Sequence, residues 1–156
     1  MNRNLETLEQ LLKNNHADYT IFNDDLSLLT ASAGAKQYGI TMQQCAPTFI
    51  LKSKDTYYAA IICGHTRISF KKLKQALNCK DISMADPATV TTLTGANIGE
   101  VSLINLTLIT LIDKQVLNNQ HCYGGCGAPK STLRINTQDL TRITNGQLLD
   151  FTDPRS

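Results

Sequence analysis

The stretch that decides the fold runs from Ala46 to Leu77, APTFILKSKDTYYAAIICGHTRISFKKLKQAL. Thr48-Phe49-Ile50-Leu51 and Tyr57 to Cys63 are apolar and β-prone, and Ser53-Lys54-Asp55-Thr56 between them has the composition of a hairpin turn. The two runs are therefore expected to be neighbouring strands. Ser69 then reads as the N-cap of a helix whose Phe70, Leu73 and Leu77 face inward. Helices interleave with strands, yet some strands are joined by hairpins, so the expected sheet is mixed rather than purely parallel.

Working outward, Leu5, Leu8, Leu11 and Leu12 make a helical stripe ended by Asn14 and Asn15, and Tyr19, Ile21 and Phe22 suggest a short strand. Thr30 is the expected N-cap of a second helix that stops at Gly39. Downstream, Asp86-Pro87 is an N-cap followed by a first-turn proline; Val90 and Leu93 form the buried side of that helix, and Gly95 ends it. Leu106 to Ile112 reads as a strand. Gln120 to Tyr123 and Ser131 to Ile135 flank a glycine loop. Asn136 caps a last helix containing Leu140 and Ile143 and ended by Asn145-Gly146, and Leu148 to Phe151 is a final strand candidate. There is no internal repeat, low-complexity tract or linker, so residues 1–156 are expected to form a single domain.

Composition bounds the chemistry. At 156 residues and 42% hydrophobic, about two-thirds of the unfolded surface can be buried, and no staple is needed. A net charge of +2 excludes a histone-like tail or an acidic disordered chain. The lack of Trp and only 6% aromatics argue against a stacking platform for single-stranded nucleic acid. Met1 to Gln10 has no signal-peptide core and no run is long enough to span a membrane, so a cytoplasmic location with reduced cysteines is expected.

Three features stand out. Arg67, Lys71, Lys72, Lys74 and Lys80 fall within fourteen residues that contain no acid. The lysines of the helix lie opposite its apolar stripe, a face able to track phosphates or simply to meet solvent. Gly124-Gly125-Cys126-Gly127-Ala128-Pro129-Lys130 is neither a Walker loop nor a dinucleotide fingerprint. It reads either as a bulged hairpin or as a backbone whose amides meet an oxyanion. Cys122 and Cys126, with His121 and the Cys63-Gly64-His65 group, offer thiol or zinc chemistry, although neither pair has the spacing of a zinc knuckle. No metal or other cofactor is expected.

Several segments carry a family resemblance in collinear order: TASAGAKQYGI (Thr30–Ile40), APTFILK (Ala46–Lys52), the strand, turn and basic helix from Ala59 to Leu77, SMADPATVTTLTGANIG (Ser83–Gly99), Asp113 after a strand, and the glycine loop and strand from Gly124 to Ile135. Together they cover about four-fifths of the chain and resemble the YbaK-type aminoacyl-tRNA deacylases, the family that includes the editing domain of bacterial prolyl-tRNA synthetases. The resemblance implies an α/β (α+β) fold with a mixed sheet curled into a partly open barrel and flanking helices. It also implies a pocket for the aminoacyl 3′ end of tRNA, hydrolysis of the ester of misacylated tRNA by a freestanding editing enzyme, and an aminoacyl-tRNA synthetase as a possible partner. The amides of Gly124, Gly125, Cys126 and Gly127 are then the expected oxyanion donors, with Thr48 and Ser102 as polar positioners. Pro47, Gly99, His65 and Asp113 are placed near the substrate, and Arg67, Lys71, Lys72 and Lys74 against tRNA phosphates. Pro47 stands where the family has a lysine, and Leu103 where its Gly-Gly-Val-Ser-Pro loop ends in proline. These two departures favour a second reading, a module that binds the aminoacyl end or a free amino acid without cleaving it.

Overall fold

Leu111 and Ile112 are adjacent and both fully buried, yet they belong to separate apolar clusters. The strand that carries them is covered on both faces, which is why its sequence is a continuous apolar run rather than an alternation. The computed structural model describes residues 3–23 and 31–155, with side chains from 5 and from 33 onward in the two segments. The expected cap Thr30 lies outside the described residues.

In chain order the elements are α1 (Arg3–Asn14), β1 (Tyr19–Asn23), α2 (Ala31–Tyr38), β2 (Thr48–Ser53), β3 (Thr56–Ile61), β4 (Thr66–Ile68), α3 (Phe70–Leu77), β5 (Ser83–Met84), α4 (Pro87–Thr94), β6 (Ile109–Asp113), β7 (His121–Gly125), β8 (Ser131–Asn136), α5 (Thr137–Thr144), β9 (Gln147–Leu149) and β10 (Thr152–Pro154). Short 3-10 turns occupy Met42–Gln44 and Lys114–Asn118.

The hairpin forms as expected. β2 and β3 pair antiparallel from Thr48 opposite Ile61 to Ser53 opposite Thr56, and Lys54 makes the tight turn in a left-handed conformation. β6 joins the other edge of β3 in parallel, and β9 joins β6 in parallel, giving a mixed five-stranded sheet in the order β5-β2-β3-β6-β9. The helix starts also hold: the Ser69 hydroxyl accepts the Lys72 N–H at 3.2 Å, and Asp86 accepts the Thr89 N–H at 2.8 Å ahead of Pro87. That hydrogen bonding at the helix start holds the Asp86 carboxyl below its usual range.

A second, antiparallel sheet runs β1-β8-β7. Between the two sheets, Ile61 and Ile112 pack with Leu12 of α1, Leu133 and Ile135 of β8, and Leu140 of α5. On the other face of the large sheet, Leu51, Ala60 and Leu111 pack with Leu73 of α3 and Phe151. The sheets are bridged at Cys45–Tyr123 and Ser102–Gly125 and do not close into a barrel.

Three boundaries differ from the sequence reading. The strand expected from Leu106 begins only at Ile109, because Asn105–Leu108 forms a turn that leaves Leu106 55% exposed. The final strand is two, β9 and β10, separated by the buried Phe151. β4 and β5 have no counterpart in the sequence reading, because strands of two or three residues carry too little alternation to register.

Candidate functional site

A cavity of about 500 Å³ opens where the start of β2, the loop 98–101 and the end of β7 converge. Backbone hydrogen bonds set this geometry. The Ala46 N–H donates to Tyr123 O at 2.7 Å, Cys45 O accepts the Gly64 N–H at 2.8 Å, and Pro47 O accepts the Ile62 N–H at 3.3 Å. Segment 45–47 is thereby held between β3 and β7, which puts Pro47 and Thr48 on the cavity wall. Proline is tolerated there because only its carbonyl is used. On the facing loop, Gly99 has φ +90°, and the Glu100 N–H closes the turn on Asn97 O at 2.9 Å. Gly99, Glu100 and Val101 all line the wall.

The glycines of the loop let neighbouring backbone approach closely. A Cβ on Gly124 would stand 2.6 Å from Leu103 Cγ and 2.7 Å from Ala46 O; one on Gly125 would stand 2.2 Å from Val101 O. These glycines let two backbone segments lie against β7. The Leu103 N–H donates to Gly125 O, and the Gly127 N–H donates to Glu100 O, both at 3.0 Å. The Gly127 amide is therefore committed within the fold, which removes it from the expected oxyanion donors. Gly124 and Gly125 remain on the wall, whereas Gly127 does not.

Other expected site residues are also relocated. Cys126 is 1% exposed within the central core and does not line the cavity; the wall cysteine is Cys45. The Ser102 hydroxyl accepts the Ile104 N–H at 3.1 Å and shapes its own loop. Asp113 is 1% exposed and off the wall. One of its carboxylate oxygens accepts the Phe151 N–H at 2.9 Å and the other the Gln115 N–H at 3.2 Å. His65 lies between two wall residues, Gly64 and Thr66, but is not one itself, and its Nδ1 is buried without a partner. The basic stretch is not wholly unopposed. Lys72 Nζ donates to Thr152 O at 2.9 Å and sits 3.1 Å from Asp153 and 3.6 Å from Asp150, contacts that raise its pKa, the hydrogen bond to Asp153 most. Asp153 also faces Arg67 across the β4–β10 ladder. Lys71 and Lys74 remain exposed on α3.

The wall holds residues that the sequence reading left unassigned. Tyr38 at the end of α2 and Tyr123 of β7 both line the cavity, with ring centroids 5.6 Å apart. Phe22 of β1 stands 5.0 Å from Tyr38 and 6.3 Å from Tyr123, nearly parallel to the latter at 12°. A low overall aromatic content thus hides a local aromatic trio. Lys130, in a left-handed conformation after Pro129, and Arg155 also line the cavity. Among the described residues Glu100 is the only carboxylate on the wall. The Thr48 hydroxyl is enclosed and has no hydrogen-bond partner among the described residues.

Residues 27–143, three-quarters of the chain, match the family model of the aminoacyl-tRNA editing domain. The chain belongs to that family. The editing domain is similar to part of the proline–tRNA ligase of Caldicellulosiruptor bescii, at 27% identity over 118 residues, covering 76% of this chain and 20% of the ligase. The chain thus spans about a fifth of that relative's length. Among solved structures its fold matches the hypothetical protein APE2540, with TM-score 0.87 and 21% identity over 94% of this chain and 99% of the other. It also matches a protein described as a candidate trans-editing enzyme for prolyl tRNA synthetase, with TM-score 0.86 and 20% identity over 98% and 99%.

Two alternative chemistries lose ground in this editing domain. Among the described residues no three of His, Cys, Asp and Glu converge as metal ligands, and the His121 ring is committed to Asp18 at 2.6 Å. Burial pushes the thiols of Cys45 up to about 11 and of Cys63 and Cys122 up to about 12, far from nucleophilic thiolates at neutral pH. No helix among the described residues is long and apolar enough to cross a membrane.

Proposed function

We propose that the cavity receives the aminoacylated 3′ end of a tRNA and hydrolyses the ester of a wrongly attached amino acid, with the chain acting in trans. The observation that carries the reading is the coincidence of the family match with a cavity built from the matched segments. Water attacks the ester carbonyl carbon, the bond to the ribose oxygen breaks, and that oxygen takes a proton to leave as the ribose hydroxyl while the amino acid leaves as the acid. Such a step gains from fixed geometry and from donors aimed at the developing oxyanion. Thr48 is a wall residue whose hydroxyl has no hydrogen-bond partner among the described residues, which suits it to serve as such a donor. Tyr38 and Tyr123 suit the terminal adenine, since base stacking on an aromatic ring contributes about 1–3 kcal/mol. The Glu100 carboxylate suits the α-ammonium of the aminoacyl group. Arg67, Lys71 and Lys74 are the cations we place along the acceptor stem, without Lys72, whose charge is already paired.

Editing relieves a physical limit of synthetase pockets, which discriminate weakly against smaller side chains. The names of the ligase and of the trans-editing neighbour make the prolyl system the first to examine, and a prolyl-tRNA synthetase the first partner. The test is release of amino acid from a panel of mischarged tRNAs, beginning with tRNA for proline carrying smaller amino acids. Release well above the buffer rate for at least one pair is expected, and Thr48→Val should lower kcat by about 100–1000-fold. The commitment of the Gly127 amide favours a second reading, binding without cleavage. Tight binding of a charged tRNA with its ester left intact would select it.

A further inference from the structure

The cavity rim carries a charge arrangement that the ester chemistry does not use. Lys130 and Arg155 lie far apart in sequence, yet both line the same opening. Each arrives there by a specific device. Lys130 follows Pro129 in a left-handed turn between β7 and β8. Arg155 is positioned by its own N–H, which donates to His65 O at 3.2 Å and fixes the end of β10 against the turn before β4. Neither cation has an ion-pair partner among the described residues, in contrast to Lys72, which has two. At the start of β2, Pro47 brings no charge and no N–H to the wall. The positive charge of this opening therefore comes from the β7–β8 turn and the C-terminal segment.

Two unpaired cations beside an apolar, aromatic-lined cavity fit a ligand with an uncharged planar part and an anion close to it. A single-stranded nucleotide end has this form. We infer that Lys130 and Arg155 form an anion subsite for the phosphodiester that precedes the terminal nucleoside, while the cavity takes the nucleoside itself. The inference rests on the proposed tRNA reading for its ligand but not on any hydrolysis, so it can be tested without cleavage.

The probe is an uncharged RNA minihelix ending in CCA, prepared with either a normal phosphodiester or a neutral methylphosphonate before the terminal adenosine. Binding is followed by fluorescence anisotropy. The wild-type protein is expected to bind the phosphodiester form about 10-fold more tightly, because losing one charge-assisted contact of this kind costs about 1.5 kcal/mol. The Lys130→Gln, Arg155→Gln double variant should lose that preference, with the slope of log affinity against log salt shallower by about 0.7, the value for one single-strand phosphate. Lys130→Arg should keep the preference. No discrimination by the wild type, no binding of either minihelix, or discrimination that survives in the double variant would each overturn the subsite. Discrimination by a wild type that releases no amino acid from any mischarged tRNA would uphold the subsite and sink the hydrolase reading instead.

Discussion

At the residue scale the cysteines are the most informative side chains, because their surroundings settle what five scattered thiols leave open in the sequence. Cys45, Cys63 and Cys122 are buried, and burial is the largest cause of their raised pKa values, joined for Cys63 by the negative charge of Asp113. Their folded values of about 11 to 12 lie above the unfolded value near 9. The unfolded chain therefore gives up these protons first as pH rises. The stabilisation is fully present below about pH 8.5 and is lost between pH 9 and 12. We expect a melting temperature that is level from pH 7 to 8.5 and falls steadily above 9. A level profile to pH 11 would contradict this account. Iodoacetamide on the native protein at pH 8 should modify the partly exposed Cys79 and spare these three.

At the scale of elements, the end of β7 is where the local pattern and the tertiary structure part company. GGCG between two strand candidates carries two meanings in a sequence, a ligand cradle or a packing necessity, and only the neighbours of Gly124 and Gly125 decide between them. Those neighbours are Ala46 and the 101–103 segment, distant in sequence and adjacent in space. Gly125→Ala would drive a Cβ into Val101 O, part β7 from the 100–103 loop and widen the cavity mouth. The expected loss is about 1–3 kcal/mol in urea unfolding. Gly34 makes the comparison. It lies within α2 with no atom of the described residues within 4 Å of its would-be Cβ, so Gly34→Ala should raise stability by up to about 1 kcal/mol. Equal effects at the two sites would refute the packing explanation.

At the scale of the whole molecule, what was legible in the sequence is what depends on neighbours along the chain. The β2–β3 hairpin, the caps Ser69, Asp86 and Asn136, and the basic face of α3 all follow from short-range pattern. The convergence of Tyr38 with Tyr123, and of Lys130 with Arg155, was not legible, because tertiary packing assembles each pair, the end of α2 with β7 in one case and the β7–β8 turn with the segment after β10 in the other. An average aromatic content likewise says nothing about three rings gathered at one wall. Asp113 links these levels. Its position after an apolar strand resembles a family feature that implies a place near the substrate, yet its two carboxylate oxygens hold the Phe151 and Gln115 N–H groups. Phe151 stands between β9 and β10, its carbonyl accepts the Ser69 N–H at 2.7 Å, and β10 leads directly to Arg155. Asp113 thus anchors the C-terminal segment whose far end supplies one of the rim cations. Asp113→Ala would strand the buried Phe151 N–H, costing about 1–3 kcal/mol, and would loosen β10 from β4. The expected outcome is a lowered melting temperature together with weaker minihelix binding and loss of the phosphodiester preference. Asp113→Asn, which keeps an acceptor for Phe151, should restore most of both. A Asp113→Ala protein that is destabilised yet discriminates the two minihelices as the wild type does would show that Arg155 reaches the rim without this anchor.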